Sequence, residues 1–413
     1  MTELEVRYEG RLVGRATAEA DADRFGFVYD EKWLNRAGRF PISVNLPLRS
    51  EPWTPDRAHP FFANLLPEGL ARQAVCNRLG ISPDNDVQLL AALGDDTAGA
   101  FQFVNAKSSG ESRRESRRPI TQSELDDWAE GEPTLTHDDD RPPRLSLAGA
   151  RHKISVVRTE SGFAIPASNE PSTHILKFEA SQFPHLTANE YLTTRFADTL
   201  GVETVQSELD DRTSPPLLVV ERYDRIDAGA KVRRLHQEDF CQILGLPPTR
   251  KYEAEGGPGL ADIAAAIRRI SSRPAADILE LVRWIIACVI CGNADNHAKN
   301  LSMLYSPDGI RLAPTYDMVC TRAYPNLHRG MAFAVGGQRN SDRILQDHWR
   351  RFADAIGVGE QLVFRELQQC IDNAEEAFEK VADEFREEFG DSAVIPHVSR
   401  AVHKRIRAVR THL

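Results

Sequence analysis

The sequence of 413 residues has no apolar run that approaches the roughly 20 residues of a membrane span. Its first residues, Met1-Thr2-Glu3-Leu4-Glu5-Val6, lack the basic and then apolar order of a secretory signal. The expected location is therefore the cytoplasm, with no membrane contact. No repeat of fixed period is visible, which excludes a solenoid. Only six cysteines are spread over the chain, too few for a disulfide framework, and a cytoplasmic location would keep them reduced. Cys288-Val289-Ile290-Cys291 has C-x-x-C spacing, but without a second pair and on an apolar helical stretch it reads as buried thiols rather than a metal or redox site. A net charge of −10 argues against broad electrostatic attachment to nucleic acid, so DNA contact is expected mainly through a partner. What remains, 41% hydrophobic and 27% charged, is ordinary globular composition on a chain long enough for two or three cores.

The most informative stretch is Gly292-Asn293-Ala294-Asp295-Asn296-His297-Ala298-Lys299-Asn300. Asp295 and Asn300 stand in the D-x-x-x-x-N spacing of a kinase catalytic loop, in which the acid receives the proton of the acceptor hydroxyl and the amide holds Mg2+. Residues 278–290 are apolar on nearly every face and read as a buried helix below this loop. After it, residues 301–305 and 310–312 read as two strands joined by Ser306-Pro307-Asp308-Gly309. That hairpin returns the chain to Ala313-Pro314-Thr315-Tyr316-Asp317, so Asp317 is expected beside Asn300 as a second acid. One carboxylate, one amide oxygen and nucleotide phosphates suffice for Mg2+, which prefers hard oxygen ligands and keeps several waters. His297 and Lys299 lie on the same loop and either stabilise transferred charge or simply order it. No H-R-D or D-F-G triplet is present, so an ordinary eukaryotic-type kinase is excluded.

Earlier in the chain, Ser146 precedes the small residues Ala148, Gly149 and Ala150, followed by Arg151, His152 and Lys153. Small residues permit the close approach of backbone N–H groups that phosphates need, although one glycine before a strand is also a plain turn. Lys177 ends the apolar run His174-Ile175-Leu176, the setting in which a kinase lysine reaches the α- and β-phosphates. Glu190, on a helix starting near Leu186, either pairs with Lys177 or is a solvated helix residue. The apolar run 217–220 reads as a buried strand leading into Glu221-Arg222-Tyr223, a natural hinge for adenine.

Around these stretches, residues 4–14 give a hairpin signal opening a small mixed sheet, and residues 60–93 carry helical spacing broken at Ser82-Pro83-Asp84. Residues 101–104 read as a strand. Residues 107–118 and 136–144 read as connectors, with a short helix capped at Thr121-Gln122-Ser123-Glu124 between them. Residues 235–240 are expected to begin a helix, 247–259 and 321–340 to be irregular, and the chain from Ser341 onward to be helical. The basic last turns, 403–410, suit a solvated face or an anion or DNA contact.

Phe62-Ala63-Asn64-Leu65-Leu66-Pro67-Glu68-Gly69, Ser146-Leu147-Ala148-Gly149-Ala150-Arg151-His152-Lys153, Thr173-His174-Ile175-Leu176-Lys177, Asn189-Glu190-Tyr191 and Val220-Glu221-Arg222-Tyr223-Asp224-Arg225 join the two stretches above in one order. In that order they resemble the HipA family of serine/threonine kinases, the toxin half of bacterial toxin–antitoxin pairs. The resemblance implies an α+β, protein-kinase-like two-lobed fold with an N-terminal sheet-and-helix module. The expected division is 1–106 for that module, 107–143 for a connector, 144–220 for the small lobe and 221–413 for a mainly helical large lobe. It further implies ATP and Mg2+ as cofactors, Asp295 as base, Asn300 and Asp317 as metal ligands, and nucleotide contacts from residues 148–153, Lys177, 221–223, His297, Ala298, Lys299 and Tyr316. Ser146 matches the family's autophosphorylated serine. A small helix-turn-helix antitoxin is the implied partner, and a translation component such as an aminoacyl-tRNA synthetase the implied substrate. A catalytically weak corepressor and a small-molecule kinase remain as other readings, because fold does not fix substrate.

Overall fold

The computed structural model describes residues 2–19, 23–105, 116–130, 153–168, 170–229 and 231–412. Two compact units divide the chain, Met1–Phe178 with Val219–Pro248, and Glu179–Leu218 with Thr249–Leu413.

The first unit opens with strands Thr2–Tyr8 and Arg11–Ala18, joined by Glu9 and Gly10, both at positive φ (47° and 76°) as a two-residue hairpin turn with right-handed twist requires. Gly26–Tyr29 and Gln102–Asn105 flank them, and every pairing is antiparallel, which corrects the expected mixed sheet. The helical stretch starts earlier than its spacing suggests, at Pro55, which occupies the first helical turn after Thr54. It divides into Pro55–Ala63, Gly69–Leu79 and Asp86–Leu93. Leu4, Val6 and Val13 share one core with Phe27, Phe62 and Leu90, so sheet and helices bury each other.

A second sheet in this unit runs Arg118–Pro119, Gly162–Ile165, Lys153–Thr159, His174–Lys177 and then Leu217–Glu221. The short helix Gln122–Glu130 carries the expected capping box: Thr121 Oγ1 accepts from the Glu124 N–H at 3.2 Å, and the Glu124 carboxylate accepts from the Thr121 N–H at 2.8 Å. It is no mere connector, because Trp128 is buried edge-on to Phe178.

Buried charges join the residues after strand Leu217–Glu221 to the N-terminal module. Asp96, from the N-terminal module, accepts from Arg225 Nη2 at 3.1 Å and lies 3.1 Å from Arg234 Nη2 and 3.6 Å from Arg222 Nη1. Asp224 accepts from Arg222 Nε at 3.0 Å, from Arg222 Nη2 at 2.9 Å and from the Gly99 N–H at 2.8 Å. All five charged residues are buried, so the residues after strand Leu217–Glu221 cannot leave the N-terminal module without exposing unpaired charge.

Residues 235–240 hold a further correction. His236–Asp239 is a strand, and the helix begins only at Phe240, where Asp239 and Gln242 form a capping box. His236 lies edge-on to Phe101, with ring centroids 4.8 Å apart. Burial lowers its pKa to about 3 against the pull of the Ile42 backbone and the Asp224 carboxylate, and Glu238, 3.9 Å away, is too far to hydrogen-bond it. The unfolded chain takes up a proton near pH 6.5 that the folded one refuses, so stability falls as pH drops below that value. Between pH 7 and pH 5 the expected loss is about 2 kcal/mol. Urea unfolding at the two pH values, compared with His236→Gln, checks this; an unchanged difference in the variant removes His236 as the cause.

In the second unit, helix Leu186–Thr199 starts where the Glu179 carboxylate accepts from the Leu186 and Thr187 N–H groups at 3.1 and 2.8 Å. The expected buried helix is Pro274–Cys291, closed by Gly292 at φ 71°. The expected irregular stretch 321–340 contains a hairpin, Gly330–Val335 with Gln338–Asn340, turned by Gly336 and Gly337 at φ 54° and 86°. A Cβ at Gly336 would sit 2.0 Å from the His348 carbonyl oxygen, so the turn admits only glycine there. Helices Gln346–Ala355, Glu360–Phe389 and Ile395–His412 follow, as the apolar spacing predicts. Arg405 departs from the expected solvated basic face: it is buried and paired with Asp342. All six cysteines are free and buried. Among the described residues no helix is long and apolar enough to cross a membrane.

Candidate active site

The loop after Gly292 is buried nearly throughout. Of residues 284–303 only Asp295 is exposed. Its backbone is fixed from several sides, because the Asp295 N–H donates to Asn293 Oδ1 at 3.0 Å and its carbonyl accepts from the His297 N–H at 3.0 Å and from Asn300 Nδ2 at 2.8 Å. Thr321 Oγ1 donates to the Gly292 carbonyl at 3.0 Å and accepts from the Ala294 N–H at 2.9 Å, gripping the root of the loop. The Ala332 N–H reaches the Ala294 carbonyl at 2.9 Å and Asn296 Oδ1 at 3.1 Å. A carboxylate thus stands in solvent on a backbone that cannot yield. The arrangement suits a group that must meet an external proton donor in one position.

The hairpin is as expected: Ser302–Ser306 pairs antiparallel with Gly309–Leu312. Beyond it, Tyr316 brings its hydroxyl back to the loop, donating to the Lys299 carbonyl at 2.7 Å and lying 2.7 Å from Ser302 Oγ. The Tyr316 hydroxyl thereby braces the residue before Asn300. Asp317 follows at φ 56°, one of three non-glycine residues with positive φ among the described residues. An aspartate held in left-handed backbone carries strain that functional sites often store. Asn300 keeps its Nδ2 on the Asp295 carbonyl, which leaves the amide oxygen as its hard acceptor for a metal. The donor set of Asn300 and Asp317 therefore fits Mg2+ completed by phosphates and water. Among the described residues no cluster of three or more His, Cys, Asp or Glu could hold a metal unaided.

His297 and Lys299 are buried, and the His297 ring meets the edge of Tyr252 with centroids 5.2 Å apart. The Ala298 N–H donates to the Lys251 carbonyl at 3.2 Å, so its one backbone donor is already used. Tyr252 Oη in turn donates to Asp295 Oδ1 at 2.9 Å. Sequence reading missed Tyr252 because Pro and Gly around it mark only an irregular loop, and nothing in the spacing points to Asp295.

In the first unit, Lys177 is buried at the end of its strand and is the cross-strand partner of Lys153. Directly opposed residues of an antiparallel pair share a face, so the two lysine stems lie side by side. Glu190 is buried on helix Leu186–Thr199, which removes the solvated-face reading. Arg222 departs from the hinge expectation: its side chain lies in the buried charge network, its N–H donates to the Thr173 carbonyl at 3.0 Å, and its carbonyl accepts from the Arg225 N–H at 3.1 Å. Glu221 is exposed, and Tyr223 hydrogen-bonds Gln237 through its hydroxyl. Ser146, Ala148, Gly149, Ala150, Arg151 and His152 lie outside the described residues.

Residues 4–104 match the model of the HipA N-terminal domain, and residues 145–386 that of the HipA-like C-terminal domain. The chain is 39% identical to the Sinorhizobium fredii kinase candidate Y4mE, covering 98% of each. It is 31% identical to the serine/threonine-protein kinase toxin HipA of Shewanella oneidensis, covering 92% of this chain and 89% of that one. The solved complex of Shewanella oneidensis HipA with HipB and operator DNA contains a chain matching 99% of this one at 28% identity, with a TM-score of 0.85 and 97% of that chain covered. With its α+β, kinase-like fold and both domain models matched in order, the chain belongs to the HipA family of kinases.

Proposed function

We propose that this kinase transfers the γ-phosphoryl group of ATP to a serine or threonine hydroxyl of a protein, with Asp295 as the base. The observation that carries this reading is the single exposed carboxylate on an otherwise buried loop, five residues before Asn300. Asp295 takes the proton of the acceptor hydroxyl as its oxygen bonds to the γ-phosphorus, and ADP departs with the electrons of the broken P–O bond. Asn300 and Asp317 would hold Mg2+, which when bound offsets phosphate charge. Lys177 and Lys153 hold phosphate, aided by the backbone of residues 148–152, and Glu190 orients Lys177. Glu221 and Tyr223 border adenine. Buried Lys299 adds positive charge behind the loop.

The Shewanella relative solved with HipB and DNA supports a HipB-like helix-turn-helix antitoxin as partner, with DNA reached mainly through it. The net charge of −10 suits that division of labour. Growth inhibition would follow from phosphorylation of a translation component, of which an aminoacyl-tRNA synthetase is one candidate. Phosphorylation of Ser146 would add about −1.5 to −2 charge beside the nucleotide phosphates and switch the enzyme off by repulsion. Incubation with ATP and Mg2+ is expected to add one phosphate to the peptide carrying Ser146, seen by intact mass and peptide mapping. Asp295→Asn should add none. An unmodified Ser146 in a chain that phosphorylates another protein would remove the self-inactivation and leave the transferase.

A further inference from the structure

We propose that Tyr252 is the positioning residue of the base, fixing the Asp295 carboxylate so that one oxygen is committed and the other faces the acceptor hydroxyl. This rests on the reading of Asp295 as the base. An exposed aspartate on a rigid backbone still turns about its two side-chain bonds, and a base that samples several rotamers meets the acceptor in only some of them. Among the described residues the Asp295 carboxylate has one hydrogen-bond donor, Tyr252 Oη, at 2.9 Å from Oδ1. A carboxylate offers two oxygens, so this bond selects Oδ2 for the acceptor without consuming the base.

A donor can position another group only if it is itself held, and the segment around Tyr252 is pinned on both sides. The Lys251 carbonyl accepts from the Ala298 N–H at 3.2 Å, inside the catalytic loop. The Tyr252 carbonyl accepts from the N–H groups of Glu255 and Gly257, each at 3.0 Å. The Glu253 carboxylate accepts from the Ala334 N–H at 2.7 Å and lies 3.7 Å from Arg339. The Tyr252 ring rests on the buried His297 ring at an interplanar angle of 79°. Gly257 closes the turn, because a Cβ there would lie 2.3 Å from the Arg250 carbonyl oxygen. The segment is a support rather than a lid. His297 then acts through Tyr252, as the surface on which the phenol is set.

Tyr252→Phe keeps the ring and its contact with His297 and removes only the hydroxyl. In the full chain with ATP and Mg2+, with ADP formation as the readout and water standing in for the acceptor, kcat is expected to fall about tenfold. KM for ATP and the thermal midpoint should stay where they are, because the substitution keeps the ring and its packing on His297. Wild-type kcat in Tyr252→Phe overturns the proposal. So does a fall in kcat matched by a rise in KM and a lower midpoint, which marks a structural tyrosine. Full turnover in Asp295→Asn would instead remove the base assignment itself, so the two failures are told apart.

Discussion

Asp295→Asn is expected to lower phosphoryl transfer by a factor of about 10³ while leaving the unfolding transition of the purified chain unmoved. The activity follows from charge: an amide accepts a hydrogen bond but not the proton that the acceptor hydroxyl must lose. The unchanged stability follows from geometry. The bonds from Asn293, His297 and Asn300 all involve the Asp295 backbone, which the substitution keeps. The amide oxygen can still accept from Tyr252, and the side chain is exposed, so no cavity or unpaired buried charge is made. Transfer of labelled phosphate from ATP, measured beside circular-dichroism melting, checks both halves. A folded variant with wild-type turnover would falsify the role, whereas a variant that melts early would show that the loop depends on the charge.

The loop after Gly292 and its neighbours were legible as structure because their signals are local. The spacing of Asp295 and Asn300, the apolar run that became helix Pro274–Cys291, and the turn at Ser306–Gly309 each lie within a few residues and obey short-range rules. The hairpin at 330–340 was missed although Gly336-Gly337 signals its turn and residues 331–335 are apolar, because the second strand, Gln338–Asn340, is short and wholly polar. What sequence could not supply was partnership at long range. Arg222 sits in a hinge motif and looked like a nucleotide contact, yet its guanidinium finds Asp224 and Asp96, the latter from a distant part of the chain. Tyr252 lies 43 residues before the aspartate that it touches. Such pairings depend on where strands and loops meet, and no periodicity records that.

Asp96→Asn is expected to destabilise the first unit by about 3–5 kcal/mol, the usual result of breaking a buried ion cluster from one side. Asp96 is fully buried and serves Arg225 and Arg234, each at 3.1 Å, with Arg222 at 3.6 Å and the Ser172 N–H at 3.3 Å. Without its charge, Arg222, Arg225 and Arg234 all lose a buried carboxylate, and Arg222 and Arg225 keep Asp224. Asp224 stays ionised beside them: burial pushes its carboxyl upward, but Arg222 and Arg225 outweigh burial and hold it at about 2. A carboxyl depressed in the folded state stabilises above its unfolded pKa near 3.9, and that contribution is lost only as pH falls toward 2. The acid sensitivity that His236 brings between pH 7 and pH 5 should therefore persist in Asp96→Asn, on top of a lower stability at every pH. Because a chain of two units need not unfold in one step, the measurement is hydrogen exchange of peptides from Thr2–Tyr8 and His174–Lys177 in urea, compared with peptides from Pro274–Cys291. Protection should fall in both first-unit strands together, since the network joins the N-terminal sheet to the sheet that carries Lys177. Loss in Thr2–Tyr8 alone would mean that the two sheets are held by apolar packing and that the ion cluster is a passenger.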